Sequence, residues 1–183
     1  MPRGIGTERI EEEAAALFPT ARIARMDTDT TRGAGALGRM LTELAEGETG
    51  ILVGTRMVVR TAQAGERIGL VGVINADNLL AHPDFRAAER AFQLLMQLKA
   101  LLPATPPDGK PGELVVQSSQ RTHPVLIAVA NHDAETFYAH ETEERQALNY
   151  PPYVRMLRLT FRHRDKLLVS AAAGSGKTRV LVE

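Results

Sequence analysis

Apolar positions along the chain change period several times, and each change predicts an element. Ile10, Ala14 and Leu17 recur at helical spacing behind Thr7, a residue type that caps helices, and Pro19 stops the run. Ala21 to Met26 reads as a short strand, and Asp27, Asp29, Thr30 and Thr31 as a polar turn. Leu37, Met40, Leu41 and Leu44 then line one face of a second helix, with Gly47 as its C-terminal cap. Gly50 to Gly54 and Leu70 to Ile74 are apolar runs without polar alternation, the pattern of parallel strands covered on both faces.

The longest patterned stretch follows, from Leu79 to Gln97. His82 and Pro83 interrupt it, Asp84 opens a helix with a carboxylate where the dipole favours one, and Phe85, Ala88, Phe92 and Leu95 form an apolar stripe. Period alone describes a helix with one buried and one solvated face. Beyond it, Leu114 to Gln117 reads as a strand entered through Pro111-Gly112, and His123-Pro124 begins a helix. Asp133 or Ala134 restarts helix through Phe137, Tyr138, Glu141 and Arg145 until Tyr150-Pro151-Pro152-Tyr153 forces extended backbone. Val154 to Phe161 is predicted as a strand. Alternating helices and apolar strands predict an α/β fold, with a mostly parallel sheet flanked by helices.

Composition narrows the chemistry more than it names it. In 183 residues, 22 basic side chains balance 22 acidic ones, so no net field draws nucleic acid and any contact must come from a local patch. The absence of cysteine excludes disulfides and cysteine-held zinc. The five histidines have no metal-site spacing, and we expect no zinc in this chain. No apolar run approaches the ~20 residues a bilayer demands, and there is no signal peptide, so a soluble cytoplasmic monomer is expected.

The wording of the central stretch is more specific than its period. Asn75-Ala76-Asp77, Pro83-Asp84-Phe85-Arg86-Ala87, Glu89-Arg90, Gln93-Leu94-Leu95 and Gln97 together resemble the signature of the PriA family of replication-restart DNA helicases. Gly6-Thr7-Glu8-Arg9, Leu17-Phe18-Pro19, Arg25-Met26-Asp27 and Asp29-Thr30-Thr31 are similar to the start of that family's second RecA-like lobe. Ile51-Leu52-Val53-Gly54-Thr55 resembles the strand into helicase motif V, and Tyr150-Pro151-Pro152-Tyr153 the passage into the C-terminal domain. The resemblance implies a RecA-like lobe over 1–148 and the start of a C-terminal domain over 149–166. It places Thr55, Arg86, Arg90 and Gln97 at or near the lobe's nucleotide and DNA faces. It also implies an ATP-driven 3′ to 5′ translocase as parent, with DNA, primosome proteins and single-strand-binding protein as partners.

Two stretches depart from the family. Where motif V continues with lysine, glycine and then aspartate-phenylalanine, this chain has Arg60-Thr61-Ala62-Gln63-Ala64-Gly65. Where motif VI supplies an arginine finger to the ATP phosphates, it has Leu98-Lys99-Ala100-Leu101-Leu102-Pro103-Ala104-Thr105-Pro106-Pro107. Lysine lacks the planar fork that makes such a finger effective, so this lobe is not expected to support normal ATP hydrolysis. A local frameshift in the coding sequence would account for both. An intact source reading frame, with no motif recoverable in a neighbouring frame, would exclude it.

At the end, Leu167 to Ser170 leads into Ala171-Ala172-Ala173-Gly174-Ser175-Gly176-Lys177-Thr178. Backbone N–H groups of such a loop can cradle phosphates, Lys177 can reach the outer ones and Thr178 can hold magnesium. The pattern resembles the nucleotide loop of UvrD- and AddA-type helicases. This implies ATP and Mg²⁺ as ligands of Gly174, Ser175, Gly176, Lys177 and Thr178, with 167–183 a tail from another helicase type. The basic group Arg162, His163, Arg164 and Lys166 suits a solvated surface, and the dispersed Phe and Tyr suit no stacking platform for single strands. The expected function is a fragment of a replication-restart helicase, inactive alone; the alternative is a non-catalytic DNA- or protein-binding module derived from such a lobe.

Overall fold

A computed structural model describes residues 6–27, 35–61, 68–102 and 111–156. Within them the chain runs α1 (Thr7–Leu17), β1 (Ile23–Met26), α2 (Ala36–Ala45), β2 (Ile51–Gly54), α3 (Arg56–Thr61), β3 (Leu70–Val73), α4 (Asp77–Leu80), α5 (Ala87–Ala100), β4 (Glu113–Val116), α6 (Pro124–Asn131) and α7 (Ala134–Ala147). The expected α/β class is what the structure shows. β1 pairs with β2 and β3 with β4, both parallel, with Ile23 opposite Ile51 and Leu70 opposite Glu113 at their first rungs. Parallel pairing demands a long return path, and helices supply it: α2 between β1 and β2, and α4 and α5 between β3 and β4.

Contacts group the chain into two units, one of 1–76 with 93–119, the other of 77–92 with the residues from 120 on. The division falls inside α5, and the expected lobe of 1–148 contributes to both. In the first unit α1 packs on β1 and β2, and Met26 and Val53 are buried. A side chain at Gly54 would meet the Val58 side chain and come within 2.7 Å of the Met26 carbonyl oxygen, so the turn from β2 into α3 needs glycine. Gly47 adopts a φ of 77° just past α2, where the Glu48 N–H reaches the Glu43 carbonyl, as its capping role predicts.

Three local expectations are corrected. Thr7 is not the cap of α1: Gly6 takes that position in extended backbone, and the Thr7 hydroxyl donates instead to Asp27 Oδ2 at 2.9 Å. Asp84 does not open the central helix directly, because its carboxylate accepts the Arg86 N–H at 3.0 Å and its carbonyl the Ala87 N–H, holding a turn before α5 begins. Phe85 therefore stands off the helix. Nor is β3 covered on both faces: Leu70 is 62% exposed, alternating with half-buried Val71, and β4 beside it shows the same alternation, with Val115 52% exposed next to half-buried Leu114.

The described residues of the second unit are helices and turns, without strand. Val125, Ala128, Val129 and Phe137 are buried, and Phe92 stacks on Phe137 with ring centroids 4.2 Å apart. Asp133 caps α7 through the Thr136 N–H, as its position predicts. Residues 154–156 are not strand, and the remainder of the strand expected there lies outside the described residues.

Candidate functional site

The central signature folds into a compact set of side-chain pairs in the second unit. Asp84 Oδ2 lies 2.8 Å from Arg90 Nη1, while its other oxygen is engaged by the Arg86 backbone. That hydrogen bond, followed by the charges of Arg90, His82 and Arg86, holds the Asp84 carboxyl below its usual range. Further along, on α5, Glu89 accepts from Arg145 Nη2 at 2.8 Å, and the same guanidinium binds Glu141 at 2.8 Å, one turn earlier on α7. Burial opposes the charge on Arg145, but the two carboxylates win and raise its pKa. Phe85 stacks on Tyr150 with centroids 5.3 Å apart and also lies 5.5 Å below the Arg145 guanidinium.

Of the residues placed at a functional face by resemblance, Arg86 and Arg90 come together around Asp84. Arg90 is committed to that carboxylate. Arg86 is exposed, with its guanidinium 5.1 Å from the Phe85 ring centroid. Thr55 and Gln97 belong to the first unit; both are exposed, Thr55 at the junction of β2 and α3 and Gln97 on α5. Gly174, Ser175, Gly176, Lys177 and Thr178 lie outside the described residues, as does the basic group at 162–166. So do the cores of the two departures from the family, at 62–67 and 103–110.

Sequence reasoning saw His123 only as the residue before Pro124 at a helix start, and it does more. Its Nδ1 accepts the Val125 N–H at 3.2 Å, capping α6, and burial lowers its pKa against the opposing pull of Glu144. The pairing of Glu89 with Arg145 was also unseen, since 56 residues separate them and only the fold brings them together. Among the described residues, no cluster of three or more His, Asp or Glu could hold a metal ion, and no helix is long and apolar enough to cross a membrane.

These helices around short parallel strands are consistent with an α/β, RecA-like fragment. The likeness in sequence is to one family, replication restart protein PriA. The chain is 40% identical over 162 residues to the protein of that name from Bacillus subtilis, covering 88% of this chain and 20% of that one. It is 38% identical over 170 residues to that of Treponema pallidum, with 93% and 25% covered. With that of Synechocystis it shares 39% over 156 residues, 85% and 18% covered. The chain is thus similar to these proteins along most of its length and spans about a fifth to a quarter of theirs. No family model matches it.

Proposed function

We propose that the chain is the second motor lobe, with the entry to the C-terminal domain, of a DNA helicase acting in replication restart and primosome assembly. The supporting observation is the 40% identity that runs along 88% of the chain to a protein named for replication restart. A RecA-type motor closes ATP between two lobes, and this segment corresponds to one. Its role is then to present Arg86 to the strand while Asp84, Glu89, Arg90 and Arg145 hold the backbone that carries it. Thr55 and Gln97 would face nucleotide or DNA on the first unit. ATP and magnesium, if used, belong to Gly174 through Thr178, where backbone N–H groups, Lys177 and Thr178 offer the donors such a ligand needs.

The second reading, a non-catalytic DNA- or protein-binding module, is favoured by the departures from motifs V and VI. Purified chain assayed with single-stranded and forked DNA separates the two. DNA binding without DNA-stimulated ATP turnover fits a lobe that needs its partner, and restored turnover on adding the first lobe in trans selects the motor. Turnover by the chain alone would refute the one-lobe reading.

A further inference from the structure

The second unit carries an open cleft of about 320 Å³ between the turn at 81–86, the start of α6 and one face of α7. That is the lower end of the ~300–1,000 Å³ usual for small-ligand pockets. None of Thr55, Arg86, Arg90 or Gln97 lines it. Its strongest charges are spent on one another or on neighbours: Glu141 on Arg145, and Asp84 on Arg90. Three carboxylates in the lining, Asp84, Glu141 and Glu144, make it a poor home for phosphate. The apolar wall includes the Phe85 and Tyr150 rings, stacked 16° from parallel.

His123 adds a directional donor. Because its Nδ1 accepts the Val125 N–H, the neutral ring must carry its proton on Nε2. Glu144, an acceptor, lines the same cavity. A donor and an acceptor together, aromatic walls and prepaired charges match a neutral flat heterocycle that offers an amine next to a ring nitrogen.

We propose that this cavity takes a single unstacked nucleobase with an exocyclic amine, adenine or cytosine, Glu144 accepting from the amine and His123 Nε2 donating to the adjacent ring nitrogen. The base can arrive as a free nucleoside or extruded from a strand. Only the strand form rests on the DNA-handling role proposed above.

The test titrates the whole chain with deoxyadenosine, deoxycytidine and thymidine while following the His123 imidazole by NMR. In parallel, a single-stranded oligonucleotide carrying one 2-aminopurine is followed by fluorescence, which the lack of tryptophan leaves free of overlapping emission. Saturable His123 shifts are expected with the two amine-bearing nucleosides and not with thymidine. Glu144→Gln should weaken them roughly tenfold or more, the usual loss of a charge-assisted hydrogen bond. His123→Asn, which keeps a helix cap but loses the ring donor and with it the NMR reporter, is read by the 2-aminopurine fluorescence instead, where it should weaken binding, and it serves if the first variant fails to fold. Nucleoside binding without strand binding would support the cavity and refute the DNA role. Strand binding that is indifferent to an abasic site at the probe position, with His123 unmoved by any nucleoside, would overturn the cavity and leave the DNA role standing. Equal shifts with thymidine would also overturn it.

Discussion

His123 can cap α6 only while its ring is neutral, because a protonated Nδ1 becomes a donor and faces the Val125 N–H instead of accepting from it. Burial lowers its pKa in the fold, so the unfolded chain binds the proton more readily. The cap's contribution is therefore complete above the unfolded value of about 6.5 and lost as pH falls through it toward the lower folded value. Urea unfolding between pH 7.5 and 5 should show a loss of at most about 1 kcal/mol, the usual worth of a cap, reduced by solvent screening. Asp84 and Asp133, whose pKa values are also lowered, give up their contributions only nearer pH ~4. His123→Asn should flatten the slope; an unchanged slope in that variant would remove His123 as its source. Gly54 makes a steric demand rather than a titratable one. Gly54→Ala pushes a methyl against Val58 and the Met26 carbonyl and should cost about 1–3 kcal/mol in denaturant midpoint measurements.

Among elements, α7 is tied to the first turn of α5 and to the turn before it by Arg145, which binds Glu89 and Glu141 and lies over Phe85. Arg145→Ala leaves the Glu141 carboxylate, only 7% exposed, without its cation, and should destabilise by about 3 kcal/mol. Combining it with Glu141→Gln should recover part of that loss. Additive losses in the double-mutant cycle would mean the pair is not coupled. The same element shows what sequence can reveal. Period and punctuation located α1, α2, α5, α6, α7 and all four strands, because apolar spacing, Gly47, Pro124 and Asp133 act within a turn of where they stand. They missed α3 and α4, six and four residues long, which are too short to display a period. They also misplaced the start of α5, where an Asp84 side-chain bond outcompeted helix, and overestimated the cover on β3, which depends on neighbours no local pattern encodes. At the site, resemblance pointed to Arg86 and Arg90 but could not show how Asp84 holds each of them. That Asp84 takes the Arg90 guanidinium on one oxygen and the Arg86 backbone N–H on the other, leaving the Arg86 side chain over Phe85, is a tertiary fact.

For the molecule as a whole, the balance of 22 basic and 22 acidic residues sets how it should meet DNA. Without a net field, association gains little from long-range steering, and affinity must rest on a few local cations. Arg86 is exposed and held beside Phe85, whereas Arg145 and Arg90 already have carboxylates. Single-strand affinity should therefore fall only shallowly with salt, each neutralised phosphate adding about −0.7 to the slope of log affinity against log salt. Fluorescence anisotropy across a salt series with wild type and Arg86→Ala measures this directly. The variant should bind more weakly at low salt with a slope shallower by about 0.7, while Arg90→Ala, which frees Asp84 and disturbs the turn, should lower stability more than the salt slope. An Arg86→Ala slope equal to wild type would take Arg86 off the strand. A steep wild-type slope would move the interface to the basic residues at 162–166, whose charges then act as a patch despite the neutral total.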